Sequence, residues 1–154
     1  MPDFDRRADA LMEKEYVLID ILPEQVPAGS KGQFFAIEEY YLQKSRLDAI
    51  RRSFADILLK LNCYADFELS PDPEEAWQHN PPPAFLDRLI RTGGSNLYLR
   101  IYLPDEEMLI LLRGDDFYMT VYHPSEKMLW LLRALAWAEG LFLRPQPESS
   151  QETP

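Results

Sequence analysis

Asp115 and Asp116 stand side by side after Arg113 and Gly114, in the stretch Leu111-Leu112-Arg113-Gly114-Asp115-Asp116-Phe117-Tyr118. Adjacent carboxylates can hold a divalent cation or share a proton, and Arg-Gly-Asp is also an adhesion tripeptide. The flanking residues favour a plainer role. Strand-like apolar runs occupy 108–113 and 116–123, so Gly114-Asp115 reads as the two-residue loop of a β-hairpin, with glycine chosen for its tolerance of positive φ. Leu112 then faces Phe117, Ile110 faces Met119 and Met108 faces Val121, all on one side. Arg113 falls opposite Asp116 as a pair of unlike charges. A one-residue slip would mix the two faces.

Other chemical candidates thin out in the same way. Thr92-Gly93-Gly94-Ser95-Asn96 has the composition of a phosphate loop, but such loops lead from a strand into a helix whose first amides meet the anion. Here a helix precedes the glycines and a strand follows, which reads as a C-cap and turn. His79 and His123 form no ligand motif. His123 continues the inward alternation of Phe117, Met119 and Val121 and reads as packed or capping, whereas His79 lies in a solvated proline-rich stretch. Cys63 is the single cysteine, which rules out an intrachain disulfide and a thiolate cluster. Nothing beside it activates a thiol. Glu38 and Glu39, adjacent in an expected strand, point to opposite faces. Ser45 and Ser125 read as helix N-caps, outside any nucleophile-elbow pattern. No catalytic set assembles, and the pattern calls for no metal or cofactor.

The elements that position these residues follow from periodicity. Phe4, Ala8, Leu11 and Met12 give residues 3–13 one helical face. Residues 15–23 read as a strand ended by Pro23, and 33–43, rich in aromatic pairs, as a second strand beside it. Leu47, Ile50, Phe54, Ile57, Leu58 and Leu61 make a helix of 46–62, with Ser45 and Asp48 as an imperfect capping box. Arg46, Arg51, Arg52 and Lys60 lie on its other face. Residues 66–83 read as an exposed acidic, proline-rich excursion, and 83–91 as a short helix. Strands follow at 96–103, 108–113 and 116–123, then a helix over 125–139 stopped by Gly140, then a short strand in 141–145. The sum is a single α+β domain over 15–145, with an N-terminal helix or arm in 1–14 and a disordered tail in 146–154. Its order is strand, strand, helix, optional short helix, three strands, helix, strand. The sheet is mainly antiparallel, with the helices of 46–62 and 125–139 on the side of Leu97, Leu99, Ile101, Leu103, Ile110, Leu112, Phe117, Met119 and Val121.

At 154 residues and 46% hydrophobic content the chain can bury a full core. Its 16 basic and 26 acidic residues give a net charge of −10, which repels nucleic acid and anionic membranes and favours a basic protein partner. The N-terminal residues lack the apolar run of a signal peptide, and no stretch is long enough to span a bilayer, so the expected setting is the cytoplasm.

Two surfaces invite binding. The second face of the last three long strands carries Tyr98, Arg100, Tyr102, Leu109, Leu111, Tyr118, Thr120 and Tyr122, a composition suited to an interface core unless a second layer covers it. Trp130 and Trp137 share one helical stripe, which suits either core packing or a dimer or partner face. Asp66, Glu68, Asp72, Glu74 and Glu75 add an acidic patch. The expectation is a non-enzymatic, acidic, cytoplasmic protein-binding module, in the manner of an immunity or inhibitor protein that neutralises a basic effector. The alternatives are an enzyme or ligand-binding domain assembled from scattered residues such as Glu38, Arg100, Tyr118 and His123, and a homo-oligomeric subunit joined through the tryptophans.

Overall fold

The computed structural model describes residues 3–27, 29 and 33–147. The expected disordered tail lies, beyond Pro147, outside the described residues. Helix α1 (Phe4–Leu11) precedes strand β1 (Tyr16–Asp20), and helices α2 (Gln33–Tyr41) and α3 (Lys44–Leu61) follow. The short strands β2 (Glu68–Ser70) and β3 (Gln78–His79) lead to helix α4 (Pro83–Thr92). The chain closes with β4 (Tyr98–Leu103), β5 (Met108–Arg113), β6 (Met119–Tyr122), α5 (Glu126–Ala138) and β7 (Phe142–Pro145). The strands form one antiparallel sheet in the order β3-β2-β4-β5-β6-β1-β7.

The α+β expectation holds, with the core on the expected side of the sheet. Leu99, Ile101, Leu103, Ile110, Met119 and Val121 meet Phe54, Ile57, Leu58 and Leu61 of α3, Leu86 and Ile90 of α4, and Met128, Leu132 and Ala136 of α5. The ladder between β4 and β5 pairs Leu103 with Met108, Ile101 with Ile110 and Leu99 with Leu112, as the alternation requires. Ser125 caps α5, its hydroxyl accepting from the Met128 amide at 3.1 Å. The other end closes on Gly140 at φ +76°, where the amides of Gly140 and Leu141 donate back to Trp137 and Ala136.

Four expectations are corrected. Residues 33–41 are a helix, because both edges of β1 are taken, by β6 and β7, leaving no place for a further partner. The same segment runs into α3 with only Leu42 and Gln43 between, so α3 starts at Lys44, and Ser45 lies inside the helix rather than at its cap. The 66–83 excursion contributes β2 and β3 to the sheet and buries Phe67 and Leu69 in the core. The β5–β6 ladder pairs Leu112 with Met119 and Ile110 with Val121, two residues from the expected register, so the faces are kept but the connection is longer.

Candidate binding surfaces and cleft

The longer connection settles what Arg-Gly-Asp-Asp does. Gly114 donates its amide to the Leu97 carbonyl at 2.8 Å and gives its own carbonyl to the Arg51 guanidinium, which also reaches the Gly94 carbonyl at 3.0 Å. The glycine is needed for close approach rather than for positive φ. A Cβ there would fall on the Gly94 carbonyl oxygen and within 2.8 Å of the Ser95 carbonyl carbon. The Asp116 amide closes a turn on the Arg113 carbonyl at 3.2 Å. Burial, and then the neighbouring Asp115, push the Asp116 carboxyl above the usual carboxylate range. Among the described residues, no group of three or more His, Cys, Asp or Glu is placed to hold a metal ion.

The tyrosine face is shared between an internal layer and solvent. Neither α3 nor α5 covers it. Helix α1 does so at one end, where Phe4 meets the rings of Tyr102 and Trp77, and Ala8 and Leu11 pack with Leu109. Tyr102 is buried there, and so is Arg100. The Arg100 guanidinium donates to Asp5 and to the Ser70 hydroxyl, each at 3.0 Å, and lies 4.7 Å from the centre of the Trp77 ring. These two residues tie α1 to the sheet. Beyond α1, Tyr98, Thr120, Tyr118 and Tyr122 remain half-buried. Tyr122 packs on Tyr16 at 5.6 Å, and Arg113 lies over Tyr98 at 6.0 Å. Burial raises the phenol pKa of Tyr118 and of Tyr122, with Asp116 and Tyr16 respectively as the next causes.

The acidic patch divides as well. Asp66, Asp72, Glu74 and Glu75 are exposed, whereas Glu68 is only 9% exposed and accepts a 2.7 Å hydrogen bond from the His79 ring. That bond, and the charge of Glu68, raise the His79 pKa above its ordinary value. A raised folded-state pKa stabilises the fold below the unfolded value of about 6.5, and the gain is lost as pH rises through the folded value. An NMR titration is expected to place His79 above the ordinary histidine value, and Glu68→Gln to return it there.

Of the scattered set, His123 stands apart at φ 62°, its ring donating to the Glu107 carbonyl at 3.0 Å. Glu38 and Tyr118 come together. Both wall a cavity of about 290 Å³, which adjoins a second of about 370 Å³. Ile21, Leu22, Phe34, Glu38 and Phe117 are common to the two. The cleft runs between α2, the end of β1 and the start of α3. It went unseen in the sequence because it needs 33–41 to be a helix, which turns Phe34, Glu38 and Tyr41 inward at i, i+4 and i+7.

The tryptophans lie outside the core. Trp130 and Trp137 are 71% and 70% exposed, while Met128, Leu132 and Ala136 fill the buried stripe of α5. Trp137 meets Phe142 in an edge-on aromatic contact, with ring centres 5.8 Å apart. Phe35, Ile37, Tyr40 and Leu42 of the α2 region are exposed too. Among the described residues, no helix is long and apolar enough to cross a membrane. No protein-family model, curated protein or solved structure matches this chain.

Proposed function

We propose that this chain is a non-enzymatic, cytoplasmic protein-binding module whose principal contact is the outer face of α5. The observation that carries this reading is the exposure of Trp130 and Trp137, two turns apart on one helical stripe. Exposed indoles forfeit the gain of burial, roughly 25 cal/mol per Å² of apolar surface. Tryptophan is also the side chain most enriched at binding hot spots. Arg133 and Ala134, both exposed, lie between them, so a partner reaches the helix surface between two flat anchors. The net charge of −10 and the exposed Asp72, Glu74 and Glu75 favour a basic partner, which is the charge pattern of an inhibitor or immunity protein. The half-buried Tyr98, Tyr118 and Tyr122 extend the available surface.

The test is affinity capture from host lysate at low salt, followed by binding measurements on the captured protein. A Trp130→Ala/Trp137→Ala variant is expected to bind it at least about a hundredfold more weakly, the scale of hot-spot loss, with a melting temperature close to that of the parent. Rising salt should slow association by screening the attraction. Equal capture by parent and variant defeats the assignment to α5. A stable dimer of the parent alone, seen by light scattering and abolished in the variant, assigns the same face to self-association.

A further inference from the structure

We propose that the cleft beneath α2 is a binding site for a small organic cation with an apolar body, an alkylammonium in class. Phe34, Phe117 and Tyr118 wall the smaller cavity, and Glu38 stands at its junction with the larger one. Aromatic faces joined to a carboxylate form the chemistry that recognises ammonium groups, since the ring quadrupole and the anion both attract the cation. The larger cavity continues the site with Ile37, Ile50 and Leu141, a wall suited to an alkyl or aryl remainder. At about 370 and 290 Å³, the two together fall within the range of ligand sites, roughly 300–1,000 Å³.

The charges on the walls leave an acidic balance. Asp20 and Arg144 neutralise each other at 2.6 Å, and Glu139 is engaged by Lys60 at 3.0 Å. Arg46 is turned toward the Tyr40 ring, at 5.0 Å. That ring does not cancel the Arg46 charge, but Glu38 and Glu24 outnumber it on the walls, within a chain of net charge −10 that concentrates cations around it. An anionic ligand would be repelled by Glu38, and a neutral one would leave that carboxylate facing apolar walls. Helix α2 has no fully buried residue and so yields readily to an entering ligand.

Three probes of matched size separate these cases: 4-phenylbutylamine, 4-phenylbutanol and 4-phenylbutyrate, titrated by NMR and calorimetry. The amine is expected to saturate one site, with shifts at Ile21, Glu38 and Phe117, and to bind about tenfold tighter than the alcohol, in the range of a desolvated cation–π contact. Glu38→Gln should narrow the amine's advantage over the alcohol, leaving the part due to the rings, while circular dichroism stays unchanged. Phe117→Ala should weaken the amine and the alcohol alike. The Trp130→Ala/Trp137→Ala variant should bind the amine as the parent does, which keeps this site distinct from the α5 surface. The proposal is overturned if the amine binds no tighter than the alcohol, if Glu38→Gln leaves its affinity unchanged, or if the shifts map away from the cleft.

Discussion

Gly114→Ala is expected to destabilise the fold by about 3 kcal/mol or more, the scale reached when an added methyl group overpacks a site that cannot relax. What the methyl would strike is backbone, the Gly94 carbonyl and Ser95, and not the end of a side chain that could swing away. The same approach brings the Gly94 and Gly114 carbonyls onto one guanidinium, that of Arg51, and aligns the Gly114 amide with the Leu97 carbonyl. Moving the backbone to make room breaks those bonds too, and leaves a buried cation short of acceptors. Gly140→Ala is the control. Gly140 has φ +76° with open space around it, so its alanine variant carries only the left-handed penalty, about 1–2 kcal/mol. Urea unfolding of the two variants separates close approach from dihedral strain. Equal midpoints would show that the 94–97 and 113–116 segments part without difficulty.

The contrast shows what the sequence could carry. Alternation is a local signal, so the strands at 98–103 and 108–113, their register and the apolar face packed by α3 and α5 were legible from residue types alone. The loop between β5 and β6 is not legible in the same way, because Gly114 answers to Leu97 and Gly94, and no local rule reports a contact made by a neighbouring segment. Segment 33–41 failed for a related reason. Its aromatic residues suit a strand, and what decides against one is the occupation of both edges of β1 by residues 119–122 and 142–145. Because Glu38 and Tyr118 meet only through that helix, the cleft was hidden while each of its residues was visible. The tyrosine face was half legible: its composition was plain, but that Phe4, Trp77 and Asp5 would take up Tyr102 and Arg100 depends on where α1 docks. The tryptophans were legible as a stripe, and their exposure follows from α5 having a second stripe, Met128, Leu132 and Ala136, that fits the core better.

Arg144→Met is expected to cost about 3 kcal/mol, the scale for removing one partner of a buried ion pair. Strand β7 lies at the edge of the sheet and pairs with β1 alone. Its tie is the Asp20 carboxylate, which accepts from two Arg144 nitrogens at 2.9 and 2.6 Å and from the Ile21 amide at 2.7 Å. With side chains only 12% and 9% exposed, Arg144 and Asp20 sit where an unpaired charge is poorly hydrated. Methionine keeps much of the arginine stem, so the loss reports the stranded Asp20 carboxylate rather than missing packing. Asp20→Asn should be similarly costly, because the arginine is then the stranded charge. The double variant Asp20→Asn/Arg144→Met should be more stable than the sum of the two losses implies, as each change removes the group the other leaves unpaired. Amide exchange at Phe142 and Arg144 should accelerate more in Arg144→Met than in the double variant, because β7 has one paired edge and this ion pair reinforces it. Purely additive losses would mean that the two charges are hydrated independently, and that their pairing adds nothing to the hold on the edge.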